Sequence, residues 1–295
     1  MKETGPLPLE YKYFKHIYDL IEFGIPKIIE TEDVFYDWFL KELQIYEAKN
    51  PIKLYRGHSD ASWLMVSTLY REAEYYGSDF NTLEKAHHEY VKTLLGDLRN
   101  ISSNEQILAY SQHYGMKSSF LDVTFNPLVA LYFATEKNEV KNNDSELKYY
   151  FSIIELTDST SFGNWEKSLN ICARALKDGC SDNAMIEEIV NESRNNSVVQ
   201  ELKGIEKPVW IGETEGRTIT NPRMRAQEGA FLYQCKHADV PFEAVVKWMK
   251  QTMPIYEHIQ MRHVLISRKL FLLVREILAK YEINSHTLLL DEMPT

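Results

Sequence analysis

Cysteine, positive charge and long apolar runs are scarce in this chain of 295 residues, and each shortage excludes a class of protein. Its three cysteines, Cys172, Cys180 and Cys235, have no metal-ligand spacing and cannot all pair, which favours a reducing cytoplasmic setting. No stretch approaches the roughly 18 consecutive apolar residues of a membrane-spanning helix, and the first residues lack the apolar core of a signal peptide. We therefore expect a soluble cytoplasmic protein with no membrane partner.

The charge balance is acidic, since 33 Lys and Arg face 43 Asp and Glu and the net charge is −10. This balance disfavours a broad nucleic-acid surface, because phosphate binding needs clustered cations. The segment from Lys236 to Lys280 departs from it, with eight basic against four acidic residues, so a local basic groove stays open as an expectation. No glycine-rich phosphate loop follows a predicted strand, which argues against Rossmann and P-loop folds.

Apolar periodicity and turn residues divide the chain into a mixture of helices and strands. Residues 12–48 are predicted to be helical, with one face formed by Val34, Trp38, Phe39 and Leu43. The break at Asn50-Pro51 precedes a predicted strand from Ile52 to Gly57. Apolar residues at steps of three and four predict a helix over 83–101, and a shorter helix from about residue 104 ends at Gly115.

Strand signals are clearest in the middle of the chain, at Ser118–Thr124 and Tyr149–Leu156. Between them, Asn126-Pro127 predicts a helix start, with Asn as the N-cap and Pro at the first helical position. The remaining predictions are sheet-like sequence at 229–235, a helix from Ile266 to Tyr281 and a last strand in HTLLLDE, residues 286–292.

These elements predict an α+β fold, in which flanking helices pack on a mixed β-sheet core. The polar residues from about 158 to 205 carry weak helical signals, and we interpret them as a helical insertion. Residues 1–49 are then an N-terminal helical extension, and residues 50–295 form one domain that contains the insertion.

Four motifs combine polar chemistry with turn residues: YRG at 55–57, QHYG at 112–115, FLDVT at 120–124 followed by NPLVALYFA at 126–134, and RAQEGAF at 225–231. In order, spacing and flanking apolar residues they resemble the FRG family, named for an aromatic-Arg-Gly signature. The resemblance covers roughly residues 50–155 and 215–290. Departures from the usual pattern are Val123 in place of a common Trp, Ser118 or Ser119 near a common Thr, and Glu228 after Gln227.

FRG proteins are distantly similar to ADP-ribosyltransferases, and some similar bacterial proteins act as toxins in anti-phage defence. The resemblance therefore implies an ADP-ribosyltransferase-like sheet core, with NAD as the substrate, and a glycosyltransferase activity used by a toxin or phage-defence effector. No metal is expected, because neither an H-E-x-x-H motif nor a Cys pair frames the histidines.

Splitting the nicotinamide–ribose bond of NAD needs a cation for the diphosphate, a hydroxyl that orients ribose and nicotinamide, and a polar or acidic group at the ribose. Arg56 suits the first role, because its planar fork binds phosphate oxygens bidentately. Thr124 matches the second, and Gln227 or Glu228 matches the third. Arg223, Arg225 and Gln227 would share one face of a predicted strand, opposite Glu228, which slightly favours Gln227.

The same motifs supply the expected contacts to the dinucleotide: Tyr55, Arg56, Gly57, His58, His113, Tyr114, Asp122 and Arg225. For Arg56 the competing interpretation is an ion pair with Asp122 or Asp60. Asp122 is expected to support Arg56 or a backbone turn.

Three functions compete at this point. The first is an ADP-ribosyltransferase that modifies RNA or protein; the basic segment and the aromatic residues Tyr233, Trp248 and Tyr256 favour single-stranded RNA. An antitoxin is a further expected partner. The second is a non-catalytic module that binds a nucleotide or a partner protein. The third is an NAD-independent nuclease with His58 and His113 as acid and base.

Overall fold

The computed structural model describes residues 14–23, 25–49, 53–63, 65, 120–138, 144–158, 209–211, 222–233 and 259–289. Seven strands in these ranges form one sheet: β1 Lys27–Ile29, β2 Lys53–His58, β3 Phe120–Thr124, β4 Tyr150–Asp158, β5 Val209–Ile211, β6 Gly229–Tyr233 and β7 Ile259–Ser267. The α-helices are α1 Glu32–Ala48, α2 Pro127–Ala134, α3 Pro222–Ala226, α4 Phe271–Lys280 and α5 Ser285–Leu289. Short 3₁₀ helices cover Ile17–Phe23, Glu146–Tyr149 and Arg268–Leu270. The predicted mixed sheet with flanking helices is confirmed.

The strand order is β1-β7-β4-β2-β3-β6-β5, with β1 parallel to β7 and the other neighbours antiparallel. β2 pairs with β4 along its whole length, and β3 pairs likewise with β6. In contrast, β2 and β3 meet in one register pair, Tyr55 with Thr124. The sheet therefore consists of two halves, β1-β7-β4-β2 and β3-β6-β5. The two halves are joined at this pair and separate on one side of it.

The main apolar core lies where α1, α2 and α4 cover the sheet. α1 contributes Phe35, Trp38 and Phe39, and the phenyl rings of Phe35 and Phe39 stack with centroids 5.9 Å apart. Nearly every side chain of α2 is buried, as its uniformly apolar sequence requires. Each large apolar side chain buried here stabilises the fold by about 1.5–3 kcal/mol.

A buried ion cluster fastens α1 to the sheet. Glu42 of α1 and Glu155 of β4 are both buried and share the Lys53 ammonium, at 2.6 and 3.4 Å. Arg262 Nε of β7 donates to Glu155 at 2.9 Å, and the Trp38 indole donates to the other oxygen of Glu155 at 2.7 Å. Two carboxylates and two cations balance each other, which is the condition under which buried charge is tolerated.

The start of α2 is as predicted. The Asn126 side chain accepts from the Leu128 amide at 2.9 Å, and Pro127 occupies the first helical position. The predicted strands at 52–57, 118–124, 149–156 and 229–235 are also confirmed, with the bounds given above for β2, β3, β4 and β6.

The prediction of one helix over 12–48 is wrong for part of that range. A 3₁₀ helix is followed by Pro26 and then by β1, and α1 begins at Glu32. Proline ends a helical segment, and the β-branched pair Ile28-Ile29 suits a strand. The buried face of α1 is Phe35, Trp38, Phe39 and Glu42, whereas Val34 is 40% exposed.

Three predictions in the C-terminal half are wrong. Ile266 lies in β7, so α4 begins only at Phe271. The segment predicted as a last strand begins with helix α5, because Asn284 and Thr287 bond each other's amides reciprocally at 3.0 and 3.1 Å, as in a capping box. Residues 222–226 form helix α3, so Arg223, Arg225 and Gln227 do not alternate along a strand.

The predicted helices at 83–101 and 104–115 lie outside the described residues, as does nearly all of the interpreted insertion at about 158–205. Among the helices that the structure describes, none combines the length and apolar character needed to cross a membrane.

Candidate active site

A cleft of about 320 Å³ opens where β2 and β3 part, a volume typical of a small-molecule site. Its walls are the facing ends of these strands, α2 with the turn after it, and the segment from α3 to β6. Charged and polar side chains that line it include the cations Arg56, Lys137 and Arg223, the acidic Asp122 and Glu136, and Gln227. Trp63 and Phe133 add aromatic surface.

Arg56 stands in the gap between the two half-sheets. Its Nε donates to Nε2 of His58 at 3.0 Å, and its Nη1 donates to the backbone carbonyl of Asp122 on β3. The second hydrogen bond connects the strands at a position where no ladder pair is present in the described register. The structure thus places a half-buried guanidinium on the cleft wall and ties it to both half-sheets.

Gly57 gives β2 its close contact with α2. A Cβ atom at this position would lie 1.9 Å from the Ala130 carbonyl oxygen and 2.7 Å from the Ala134 nitrogen. Glycine is needed because the helix backbone occupies the space of a side chain. Gly57 also lines the cleft, so its predicted contact with a ligand stays a prediction.

Thr124, the predicted ribose-orienting residue, has two backbone partners. Its hydroxyl donates to the Gln227 carbonyl at 2.7 Å and accepts from the Asn126 amide at 3.0 Å. The side chain is buried, at 5% exposure. Thr124 lines the cleft, but its hydroxyl fixes the segment before β6 against the start of α2.

Gln227 and Glu228 point to different surroundings. Gln227 lines the cleft, and its Nε2 donates to the Leu288 carbonyl at 3.2 Å. Glu228 accepts from the Tyr46 hydroxyl at 2.7 Å and from Asn126 Nδ2 at 2.8 Å, so its carboxylate is bound between α1 and α2. Burial, and then the hydrogen bond to Glu228, raise the pKa of Tyr46 above its ordinary value.

Tyr55 is fully buried, and its hydroxyl donates to Glu42 at 2.9 Å. Burial and the adjacent Glu42 carboxylate raise the pKa of Tyr55 above its ordinary value, so the phenol stays neutral. Although Tyr55 borders the cleft, its hydroxyl belongs to the ion cluster under α1.

The other predicted contact residues divide into three groups. Asp122 is exposed and lines the cleft. His58 is buried, at 3% exposure, and contacts Arg56 instead of lining the cleft, while Arg225 is exposed and is also absent from the lining. His113 and Tyr114 lie outside the described residues.

Residues 52–143 match the FRG domain. No curated protein and no solved structure matches the chain.

The FRG match contains β2, β3 and α2, and with them Arg56, Gly57, Asp122 and Thr124. These residues build one side of the cleft. Gln227 and Arg223 lie beyond the matched range, so the FRG segment is completed by a later part of the chain.

Three further residues that line the cleft, Arg223, Glu136 and Lys137, are not among the site residues predicted from the sequence. A signal for Arg223 was present, because Asn221-Pro222 repeats the Asn-Pro pattern that opens α2 and so predicts a helix. On that helix Arg223 borders the cleft, whereas Arg225 is exposed. The sequence around Glu136 and Lys137 has no pattern that predicts a position at the cleft. The two residues line the cleft because they lie in the turn after α2.

The described part of the chain contains no cluster of three or more side chains suited to hold a metal ion. What the cleft offers chemically is three cations, two carboxylates and a carboxamide among the side chains that line it.

Proposed function

We propose that the protein is an NAD-dependent ADP-ribosyltransferase and that Arg56 binds the diphosphate of NAD. The observation that carries this proposal is the position of the Arg56 guanidinium, tied to both half-sheets in the cleft between them. Arg223 and Lys137 on the same cleft add positive charge. Guanidinium–phosphate pairs are charge-assisted hydrogen bonds, about twice as strong as neutral ones, which suits a diphosphate.

In the proposed reaction the bond between ribose C1′ and the nicotinamide nitrogen breaks, and its electron pair leaves with nicotinamide. The positive charge that develops on the ribose is relieved when an oxygen or nitrogen of the target bonds to C1′ and gives up its proton. Gln227, Asp122 and Glu136 line the cleft. In the proposed reaction Gln227 would stabilise the ribose, and the Asp122 or Glu136 carboxylate would receive that proton.

The target is proposed to be RNA or protein, with single-stranded RNA favoured by the basic residues from Lys236 to Lys280. The resemblance to FRG proteins supports a role as a bacterial toxin or phage-defence effector, which would be held inactive by an antitoxin.

A second candidate is a non-catalytic nucleotide-binding module. It is favoured by the engagement of two predicted catalytic groups, since the Thr124 hydroxyl binds Gln227 and the Glu228 carboxylate binds Tyr46 and Asn126. The same cleft would then recognise a diphosphate without breaking a bond.

The test uses NAD labelled in its adenine, incubated with the full-length protein and a cell extract. Transfer of the label to RNase-sensitive or protease-sensitive material, together with release of nicotinamide, is expected from the native chain. Arg56→Ala is expected to abolish both, and Arg225→Ala, an exposed arginine outside the cleft lining, should leave them intact.

Equal activity of the native chain and Arg56→Ala would contradict the proposal. Binding of NAD without nicotinamide release under any condition would favour the non-catalytic module. Cleavage of RNA in the absence of NAD would indicate a nuclease, a function that the buried position of His58 does not favour.

A further inference from the structure

The arrangement of Arg56 and His58 follows from their spacing on β2. Residues two apart on a strand project to the same side, so the two side chains lie together while Gly57 faces α2. Nε of Arg56 donates to Nε2 of His58 at 3.0 Å, and Nη1 donates to the carbonyl of Asp122. Because a guanidinium is planar and rigid, holding two of its nitrogens fixes the direction of the third.

The hydrogen bond also defines the state of the histidine. A guanidinium has donors and no acceptor, so Nε2 of His58 must present its lone pair, and the ring proton sits on Nδ1. The imidazole is therefore neutral. An imidazolium would oppose two N–H groups and place two positive charges side by side.

Packing keeps the imidazole at its place. His58 is 3% exposed, its ring lies 6.0 Å from the Trp63 ring at an interplanar angle of 58°, and its backbone pairs with Ser152 of β4. β2 lies in the interior of the sheet, between β4 and β3. The acceptor offered to Arg56 is therefore built on a rigid element instead of a loop.

We propose that His58 is a positioning residue, whose neutral imidazole orients the Arg56 guanidinium for a diphosphate in the cleft without touching the ligand. The benefit is preorganisation, since a side chain that is already held loses less conformational freedom when the ligand binds. The proposal rests on the diphosphate site of the proposed function, but the orientation of Arg56 can be measured without any ligand.

The first experiment is nitrogen-15 NMR on the full-length protein with labelled arginine and histidine. We expect long-range couplings that identify the Nδ1–H tautomer of His58, and an Arg56 Nε–H signal that exchanges slowly with water. The Arg56 signal is assigned by its loss in Arg56→Lys. An Nε2–H tautomer or an imidazolium at neutral pH would overturn the proposal, and this result needs no substitution at His58.

The second experiment separates an acceptor from a merely well-packed ring. His58→Gln places a carboxamide oxygen close to the former Nε2, whereas His58→Phe keeps an aromatic ring beside Trp63 and removes the acceptor. Slow exchange of the Arg56 Nε–H signal should persist in His58→Gln and be lost in His58→Phe. Equal protection in both variants would refute positioning by hydrogen bonding.

The third experiment measures ADP-ribose binding by calorimetry. A lost hydrogen bond to a charged group is expected to weaken binding roughly tenfold in His58→Phe, and His58→Gln should restore most of the affinity. In an Arg56→Ala background, His58→Phe should have no further effect, because the two act as one unit. Additive losses would overturn the proposal. If the native chain binds no ADP-ribose, the diphosphate site of the proposed function is wrong, and the NMR result alone decides how Arg56 is oriented.

Discussion

Four consecutive residues of β2 contact four different parts of the molecule. The Tyr55 hydroxyl reaches Glu42 of α1, the Arg56 guanidinium stands on the cleft wall, Gly57 packs against α2, and His58 binds Arg56. The aromatic-Arg-Gly signature thus combines a core residue, a cleft cation and a packing glycine. All three residues border the same cleft, and Arg56 is the one that presents a charged group to it.

The first prediction concerns Gly57→Ala. The added methyl would overlap the Ala130 carbonyl, and because both groups are backbone, neither β2 nor α2 can yield easily. We expect a loss of about 3 kcal/mol or more in the free energy of unfolding, at the severe end of overpacking. Urea titration measures it, with Ser59→Ala, just beyond the end of β2, as a near-neutral control. A change below about 0.5 kcal/mol in Gly57→Ala would show that the packing is not close.

The second prediction concerns Glu228, whose φ of 45° lies in the left-handed region. Glu228→Ala and Glu228→Gly both remove the carboxylate from Tyr46 and Asn126, but only glycine accepts this φ without strain. We expect Glu228→Gly to be the more stable of the two by about 1 kcal/mol. The reverse order in thermal or chemical unfolding would contradict the backbone conformation assigned to this turn.

A buried threonine lies beside each end of helix α2, and the hydroxyls of the two residues form different kinds of hydrogen bond. The Thr124 hydroxyl joins the Gln227 carbonyl to the Asn126 amide, so it connects the helix start with the cleft wall. The Thr135 hydroxyl donates to the Leu131 carbonyl, which already accepts from the Thr135 amide at 3.0 Å. One threonine therefore joins separate segments, while the other repeats a contact inside the helix.

The third prediction compares the two as valine variants, which keep the shape and remove the hydroxyl. Thr124→Val leaves a carbonyl and an amide without this partner and is expected to cost about 1–3 kcal/mol of stability. It should also weaken ADP-ribose binding by displacing Gln227. Thr135→Val should cost less and leave binding unchanged. Calorimetric binding and urea unfolding check both, and equal binding losses would show that Thr124 does not position the cleft wall.

Elements whose local signals agree could be predicted from the sequence. α2 was identified by its Asn-Pro cap and apolar run, and β2, β3, β4 and β6 by β-branched and aromatic residues. The short helices α3 and α5 were missed because their signals are short polar patterns instead of apolar periodicity: Asn221-Pro222 in the sequence before α3, and the Asn284–Thr287 capping box of α5. β7 ends at Ser267 and is followed at once by the 3₁₀ helix Arg268–Leu270 and by α4, and no glycine or proline in the sequence marks this change from strand to helix.

The site could be predicted in part, for similar reasons. Arg56, Asp122 and Gln227 were named from their motifs, and the structure places all three on the cleft. Thr124, Glu228 and Tyr55 instead satisfy the hydrogen bonds of neighbouring segments, and that demand arises only when distant parts of the chain meet. Arg223 reaches the cleft on α3, whose Asn-Pro start the sequence shows, whereas Lys137 reaches it through tertiary packing alone.

At the level of the whole molecule, one buried histidine in the half-sheet β1-β7-β4-β2 affects stability. The half that contains β7 buries His263, which is 2% exposed and meets the edge of Phe14 at 6.0 Å. Burial lowers the pKa of His263 to about 4, so the imidazole is neutral in the folded protein at ordinary pH. The lowered pKa of His263 therefore couples the stability of the fold to pH.

The fourth prediction follows from that coupling. The unfolded chain binds a proton at His263 near its ordinary pKa of about 6.5, and the folded chain does so only near 4. The contribution of the neutral His263 to the free energy of unfolding is therefore complete above about pH 7. It is lost as pH falls from about 6.5 to about 4, and the total loss is up to about 3 kcal/mol. His263→Leu should flatten the pH dependence of unfolding between pH 6.5 and 4, and His16→Leu, at an exposed histidine, should not. An unchanged slope in His263→Leu would contradict it.

The pairing of β1 with β7 at the edge of the sheet affects the order in which the strands can pair during synthesis. Lys27 pairs with Val264, so β1 cannot dock until the chain has been made past β7, whereas β2 finds β4 and β3 finds β6 earlier. The strands that frame the cleft can therefore meet on the ribosome before β1 and β7 close the sheet edge. On a ribosome stalled after β6, β2 could already pair with β3 and β4 and position Arg56 at the cleft. The outer edge of β4 would still be unpaired, because β7 is missing, and association with other chains is expected first at this edge.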